Sequence, residues 1–471
     1  MTVAAAVDVL PRRMAGWAAR RSLAPNALTG IGLACSLCAA VWFSAGSRAD
    51  AVGGGLALCA GYLARWVCAQ LVAARDAGEA VQGGVVVATL PMLAGFEAWL
   101  ASMFAAAGEL AVYAGLAVGA RASEQRGTWL LAADAVITLS IRQVALLCQP
   151  DRGQPDRGQP AWGQQTQQTQ GQQTQGQQTQ GRQAQEAEYP PRSSLWVLAG
   201  RLLALPAGAR TVMIALTAPL WGARITFLVL IIWGVVAVVG GIAQSAWTPS
   251  GAGSRLAGGA AVPVGIAGSR LAGGAAGPVG IAACRDDGRL ARLAGRIVRG
   301  QLVPLPPALA GLAATVLLAA LGLGNLPGIL ALAPVAAMLL AAPGAGHPHD
   351  GRLDWLVPLV LQATQYIYLA ALGRSAGVPG PVTFGLICVL ALRQLDLACR
   401  ARQQPGWPAR QGGQPAQRGG LGWDGRILVV GFGALLGIVT FAYLALTAYL
   451  GWLLCRVSLA GWLAVREGER R

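Results

Sequence analysis

The chain has 471 residues, of which 12% are charged and 55% are apolar, and its mean hydropathy is +0.51. A soluble globular domain carries about twice this share of charged residues, so the composition excludes an ordinary soluble domain and indicates a membrane protein. The net charge is +16, but the arginines lie mainly at the ends of apolar segments, where they set membrane orientation. We therefore predict membrane lipids as partners and no nucleic acid.

Apolar segments long enough to cross a bilayer as helices follow one another along the chain. Six are predicted in the amino-terminal half, near 27–46, 53–74, 85–119, 128–148, 195–221 and 225–246. Five or six more are predicted near 306–322, 327–342, 355–373, 381–399, 427–450 and 452–465. None shows the alternation of a membrane β-barrel, so we predict an all-α, polytopic transmembrane helical bundle of about 11 spans.

Two stretches are predicted to carry no catalytic residues. Residues 150–190 repeat DRGQP and continue as a Gln/Thr/Gly tract, which is typical of a disordered insertion. Residues 248–300 form a basic linker that contains the tandem copies GSRLAGGAAVPVGIA and GSRLAGGAAGPVGIA. The chain therefore divides into an amino-terminal membrane domain (15–247), this linker, and a carboxy-terminal membrane domain (301–471).

Arginine is distributed unevenly between the two sets of loops. With a cytoplasmic amino terminus, the cytoplasmic side would hold Arg12, Arg13, Arg20, Arg21, Arg75, Arg152, Arg157, Arg182, Arg192 and the cluster from Arg255 to Arg299. The other side would hold only Arg48, Arg121, Arg126 and Arg224. The positive-inside rule then predicts a multi-pass protein of the plasma (inner) membrane with its amino terminus in the cytoplasm.

Several polar residues lie at or inside the predicted spans. The segment RRSLAPNALTGIGLACSLCAAVWFSAG places Pro25 and Asn26 just before the first span and Thr29 one turn inside it, as helix capping alone would explain. Arg142, in TWLLAADAVITLSIRQVALL, and Arg210, in LPAGARTVMIALTAPLWGARITFLVLIIWGVV, lie within or beside apolar segments. An arginine in such a place is either a functional residue or an anchor at the membrane surface.

Together with WVCAQLVAARDAG, these segments resemble the CDP-alcohol phosphotransferase (phosphatidyltransferase) family of integral membrane enzymes over residues 15–247. The resemblance implies transfer of a phosphoalcohol from a CDP-linked donor to an acceptor hydroxyl, with release of CMP, in phospholipid biosynthesis. It also implies a homodimer or a paralogue as partner. The substrate, or an anionic headgroup, would be bound by residues matched to the family: Asn26, Thr29, Arg75, Arg142 and Arg210.

The signature of that family departs from this sequence at its acidic positions. The family reads DxxDGxxAR, followed at fixed spacing by a Gly and two more Asp, and these carboxylates bind divalent cations. Here Ala74 and Arg75 match, and an insertion before AWLASMFAAAGELAVYAGLA is needed to align the third helix. The aligned Asp and Gly positions are then Val67, Gln70, Leu71, Ala101 and Ala105. We therefore expect no catalytic residue, no metal ligand and no cofactor, as in a pseudoenzyme.

Other interpretations remain open. Asp76 and Glu79 share a helical face and Glu97 lies one turn before Ala101, so a displaced site could hold Mg²⁺ or Mn²⁺. Alternatively, the protein is a non-catalytic membrane scaffold or the partner subunit of an active paralogue. A transporter is favoured less, because no span is rich in ionisable residues.

The carboxy-terminal half resembles an uncharacterised membrane domain fused to actinobacterial transferases of this family. The resemblance rests on LDWLVPLVLQATQYIYLAAL, LALRQLDLACRAR and GLGWDGRILVVGF. Its polar candidates are Asp354, Gln365, Tyr366, Arg393, Asp396, Arg400, Trp423, Asp424 and Arg426. The spacing of Asp396 and Arg400 predicts a helical ion pair, and no reaction follows from the others.

Overall fold

The structure, a computed structural model, describes residues 25–82, 90–122, 127–148, 207–247, 286–298, 302–321, 332–346, 355–403 and 421–469. The helices in these ranges are α1 (Pro25–Ser44), α2 (Arg48–Gln82), α3 (Leu90–Ala122), α4 (Thr128–Cys148), α5 (Ala207–Trp247), α6 (Arg289–Val298), α7 (Leu305–Leu321), α8 (Ala333–Leu339), α9 (Leu356–Ser375), α10 (Gly380–Gln403), α11 (Gly422–Leu435) and α12 (Val439–Glu469), with a short 3-10 helix at Ala342–Gly346. The predicted all-α class is confirmed for these residues. The predicted disordered insertion at 150–190 and both repeat copies lie outside them.

Seven helical segments in the described ranges are long and apolar enough to cross a membrane. They are Asn26–Ser44, Arg48–Val72, Glu97–Ala120, Gly208–Gly240, Leu356–Ser375, Gly380–Arg400 and Val439–Ala460. Their outward faces carry exposed large apolar side chains, such as Val41, Leu56, Leu216, Ile232 and Phe441. Such faces are expected where helices contact lipid, so the described chain has the character of a multi-span membrane protein.

The long helix α5 reverses direction at Gly222. This residue has φ 80° and ψ 175°, which is outside the helical region. The Thr217 hydroxyl donates a hydrogen bond of 3.0 Å to the Thr226 hydroxyl, nine residues along. In a straight helix these residues would be about 13.5 Å apart, so α5 consists of two antiparallel limbs. The predicted break between residues 221 and 225 is confirmed.

The last helices divide the chain differently from the predicted spans at 427–450 and 452–465. α11 ends at Leu435, and Gly437 adopts φ 71°, a left-handed conformation that glycine adopts without strain. The Ile438 amide donates to the Gly433 carbonyl at 2.8 Å, which closes the helix end. α12 then runs without interruption, so the predicted boundary near residue 451 is wrong.

Glycines bring α1 and α3 into backbone contact. Gly115 and Gly119 are spaced one turn apart on α3, in a GxxxG pattern. A Cβ atom at Gly115 would lie 2.2 Å from the Ala40 carbonyl oxygen, and one at Gly119 would lie 2.1 Å from the Phe43 carbonyl oxygen. Neither position has room for a side chain, so these glycines set the close approach of the two helices.

The two membrane halves pack into one bundle. α4 contacts both α9 and α10, and a single apolar core includes Tyr113 and Phe227 from the first half and Tyr366 and Tyr443 from the second. Polar contacts cross the same boundary, since Trp99 donates its indole N–H to the Asp396 carboxylate at 2.8 Å. The linker predicted at 248–300 also contains helix α6 near its end.

Candidate functional site: an arginine cluster inside the bundle

Ionisable side chains from neighbouring helices meet inside the amino-terminal half. Arg210, near the start of α5, donates Nε and Nη2 to the two carboxylate oxygens of Glu109 on α3, at 2.9 and 3.0 Å. The Tyr113 hydroxyl donates to Glu109 Oε1 at 2.7 Å. Two parallel bonds between a guanidinium and a carboxylate hold both planes in register, so the position of Arg210 is well defined.

Two more arginines approach this pair. Arg65 on α2 donates through Nη1 to the Gly32 carbonyl oxygen at 3.2 Å and to the Ser36 hydroxyl at 3.1 Å, within electrostatic range of Glu109 and Arg210. Arg142 on α4 is 8% exposed and lies within electrostatic range of the same two residues. Arg65, Arg142, Arg210 and Glu109 are called the arginine cluster below.

The structure places the predicted binding residues in different parts of the bundle. Arg142 and Arg210 belong to the arginine cluster. Thr29 is buried one turn from Gly32, with its hydroxyl 3.6 Å from Cys68 Sγ. Asn26 is the second residue of α1, and its amide donates to Glu97 Oε1 at 3.3 Å. Arg75 is in α2, but its side chain lies outside the described residues. Of the predicted residues whose side chains are described, Arg142 and Arg210 are therefore the two that are brought together.

Two of the aligned signature positions on α2, Val67 for an Asp and Leu71 for the Gly, have an apolar environment. Val67 is 4% exposed and Leu71 is 1% exposed, and they pack with Leu28 and Cys68. Mg²⁺ and Mn²⁺ prefer carboxylate oxygens, and of the aligned side chains only Gln70 carries an oxygen, that of a neutral amide, so the residues present do not fit a divalent cation. Within the described ranges, no group of three or more His, Cys, Asp or Glu side chains could hold a metal ion.

Sequence reasoning missed Arg65, Glu109 and Tyr113. The signal was present, because Arg65 and Glu109 each stand in an otherwise apolar segment, as Arg142 does. An ionisable residue inside a membrane segment is a functional candidate by default. The same criterion, applied to every predicted span, would have identified Glu109 and Arg65.

The carboxy-terminal half contains a second polar group, which we call the clasp. Asp286 forms an ion pair with Arg426 at the start of α11. The Trp423 indole N–H donates to Asp287 at 2.8 Å. The Asp424 carboxylate accepts hydrogen bonds from backbone amides at the start of α6. These contacts attach the beginning of α6 to the beginning of α11.

A pocket lies beside the clasp, between α9, α10 and α11, and encloses about 310 Å³ when the space open to its surroundings is included. The Gln362 amide nitrogen donates to Ser140 at 2.9 Å and to the Tyr366 hydroxyl at 3.0 Å. Gln362 Oε1 and Gln365 Nε2 are buried without a hydrogen-bond partner among the described residues. Arg426 also lines the pocket, together with the apolar side chains of Pro358 and Leu361, so its wall carries polar groups in a largely apolar surface.

Comparison with known proteins gives a similarity for part of the chain. A family of unknown function (DUF5941) matches residues 276–466, which include the clasp and the pocket but none of the arginine cluster. No curated protein and no solved structure matches the chain.

The predicted ion pair between Asp396 and Arg400 is confirmed, because Arg400 Nε lies 2.6 Å from Asp396 Oδ1. The Arg400 guanidinium also covers the Trp99 ring, at 5.5 Å from its centroid.

Replacing Asp424 by alanine is expected to loosen the start of α6. The carboxylate accepts bonds from the amides of Gly288, Leu290 and Ala291 at 2.8, 2.9 and 3.1 Å, as an N-cap residue does. Loss of an N-cap costs about 0.5–2 kcal/mol, so these amides should exchange hydrogen roughly threefold to thirtyfold faster. Exchange followed by mass spectrometry measures this, with Asp424→Asn as the isosteric control. Equal rates in wild type and Asp424→Ala would contradict the assigned role.

Proposed function

We propose that this chain is a multi-pass protein of the plasma (inner) membrane, with a cytoplasmic amino terminus, that descends from CDP-alcohol phosphotransferases and no longer performs their transfer. Its amino-terminal bundle binds a phosphate-bearing headgroup at the arginine cluster. The observation that carries the proposal is the gathering of Arg65, Arg142 and Arg210 near Glu109, with all but Arg142 on helical segments long and apolar enough to cross a membrane.

The chemistry of the arginine cluster favours an anionic ligand. A guanidinium group keeps its charge in nearly every environment and matches a phosphate with two parallel hydrogen bonds. Burying several such groups in a membrane is costly, and a bound phosphate would offset that cost by attraction to all of them. Glu109 and Tyr113 hold Arg210 in place, while Gly32 and Ser36 hold Arg65, so the donors are pre-arranged.

The loss of transfer chemistry is inferred from the signature positions. The reaction of the family requires carboxylates that hold divalent cations against a nucleotide diphosphate. At the positions of these carboxylates, Val67 belongs to a buried apolar cluster and Gln70 carries a neutral amide, while Ala101 and Ala105 carry no polar atom beyond the backbone. In the displaced-site alternative, Asp76, Glu79 and Glu97 would be the metal ligands. The Glu97 carboxylate accepts a hydrogen bond from the Asn26 amide. The side chains of Asp76 and Glu79 lie outside the described residues.

Arg142→Gln is expected to weaken headgroup binding by about tenfold to hundredfold. A hydrogen bond to a charged group contributes about 1.5–3 kcal/mol, and this substitution removes the guanidinium charge while it keeps a polar, uncharged side chain. Binding of CDP-diacylglycerol and of phosphatidic acid to the full chain in nanodiscs is measured by native mass spectrometry. Arg224→Gln, on an exposed arginine of α5, is the matched control.

Three results would count against the proposal. Equal binding by wild type and Arg142→Gln would overturn the assigned headgroup site. Release of CMP from CDP-diacylglycerol that depends on Mg²⁺ or Mn²⁺ would overturn the loss of transfer and support a displaced metal site. Stoichiometric co-purification of another membrane subunit, without bound lipid, would favour the scaffold interpretation.

A further inference from the structure

Helix α6 presents three different faces. Ala291 and Gly295 are buried and one turn apart, and they face the protein, where α6 contacts the 3-10 helix Ala342–Gly346 and α11. Small residues at these positions let α6 lie close against the bundle. The clasp attaches its first turn, as described above. The helix is therefore fixed to the membrane-spanning helices along one side.

The second face is apolar and exposed. Leu290, Leu293 and Ile297 are 46%, 54% and 71% exposed. At 100° per residue they fall within an arc of about 60°. Large apolar side chains grouped in this way on a short helix indicate that a partner or a membrane covers them.

The third face is basic and adjoins the apolar one. Arg289, Arg292 and Arg296 fall within a second arc of about 60°. Arg289 and Arg296 are exposed, and Arg292 is half-buried with its Nε bonded to the Gly288 carbonyl oxygen at 3.1 Å. A short helix with an arginine-rich face beside an apolar face is typical of helices that lie in the plane of a membrane surface.

The position of α6 along the chain agrees with such a location. Leu302 and Val303 follow it and are 50% and 52% exposed, and the apolar helix α7 begins at Leu305. Large apolar side chains are thus exposed both on α6 and just before α7 begins. Because the exposed charges are all positive, the complementary surface carries negative charge.

We propose that α6 is an interfacial helix that binds the anionic headgroups of a phospholipid bilayer through its basic face, while its apolar face enters the boundary of the acyl chains. Each arginine at an anionic surface contributes on the order of 1 kcal/mol, and the apolar side chains add to this. The clasp holds α6 at the height of the membrane surface. This site is separate from the arginine cluster and does not depend on it.

The test uses the full chain in nanodiscs of phosphatidylcholine, with and without phosphatidylglycerol. Hydrogen exchange is followed for the peptides that cover residues 286–303. We expect the α6 amides to exchange roughly tenfold more slowly when phosphatidylglycerol is present, and high salt to remove most of this effect. The triple variant Arg289→Gln, Arg292→Gln, Arg296→Gln should lose the difference between the two lipid compositions.

A matched control separates this site from general attraction between a basic protein and an anionic membrane. The triple variant Arg48→Gln, Arg224→Gln, Arg374→Gln removes the same charge from exposed arginines elsewhere and should keep the difference. The proposal is overturned if α6 exchanges equally in both lipid compositions. It is also overturned if protection persists in lipid-free detergent and rises with protein concentration, because a second copy of the chain would then cover α6. Loss of protection on deletion of 253–282 would overturn it as well, because the linker would then cover α6.

Discussion

Glu109→Ala is expected to destabilise the amino-terminal bundle strongly. The substitution leaves Arg210 and Arg65 without the carboxylate that they approach, and removes the acceptor of the Tyr113 hydroxyl. Removing one partner of a buried ion pair costs about 3–5 kcal/mol. The Arg210 and Glu109 side chains are 18% and 26% exposed, so we expect a cost toward the lower end of this range. Thermal unfolding of the purified protein in detergent, followed by intrinsic fluorescence, measures the loss.

A double variant distinguishes the pair itself from simple loss of packing. Glu109→Leu with Arg210→Met replaces both charges by apolar side chains of similar size, which is often close to neutral for a buried pair. We expect the double variant to be more stable than either single variant. Arg224→Gln, outside the cluster, should stay near wild type. If Glu109→Ala alone unfolds at the wild-type temperature, the carboxylate does not hold the bundle together.

Helix positions in this chain follow from local sequence. Uninterrupted apolar runs predicted α1, α9 and α10 close to their observed bounds, because a membrane helix satisfies its own backbone and needs only length and apolarity. The break at Gly222 was also predicted, since glycine and arginine interrupt the apolar run there. The turn at Gly437 was missed because its flanking residues are all apolar, and only the backbone conformation of the glycine reveals it.

Contacts between distant residues could not be predicted in the same way. Glu109 and Arg210 are 101 residues apart, and the direction in which α3 turns its acid depends on how several helices pack. The clasp joins Gly288 to Asp424, 136 residues away. A single sequence shows that such polar residues exist inside apolar segments. It does not show which of them meet, because the packing of whole helices decides this.

The small residues between α1 and α3 lead to the second large effect. Gly119→Leu is expected to destabilise the protein by about 3 kcal/mol or more, since its first side-chain carbon would overlap the Phe43 carbonyl oxygen at 2.1 Å. Backbone cannot move aside as a side chain can, so α1 and α3 would have to separate. The separation would also shift Ser36 and with it Arg65 of the arginine cluster.

Gly30→Ala on α1 is the matched control for this substitution. No atom lies within 4 Å of the added carbon, and alanine in the interior of a helix is favoured over glycine by about 0.5–1 kcal/mol. The two variants should therefore shift the unfolding temperature in opposite directions in the same detergent. Gly119 does not contact the arginines, but it packs on α1, and Ser36 on α1 holds Arg65. A displaced α1 should therefore move Arg65, so that Gly119→Leu also weakens headgroup binding. A Gly119→Leu protein with wild-type stability would show that α1 and α3 do not approach through this glycine.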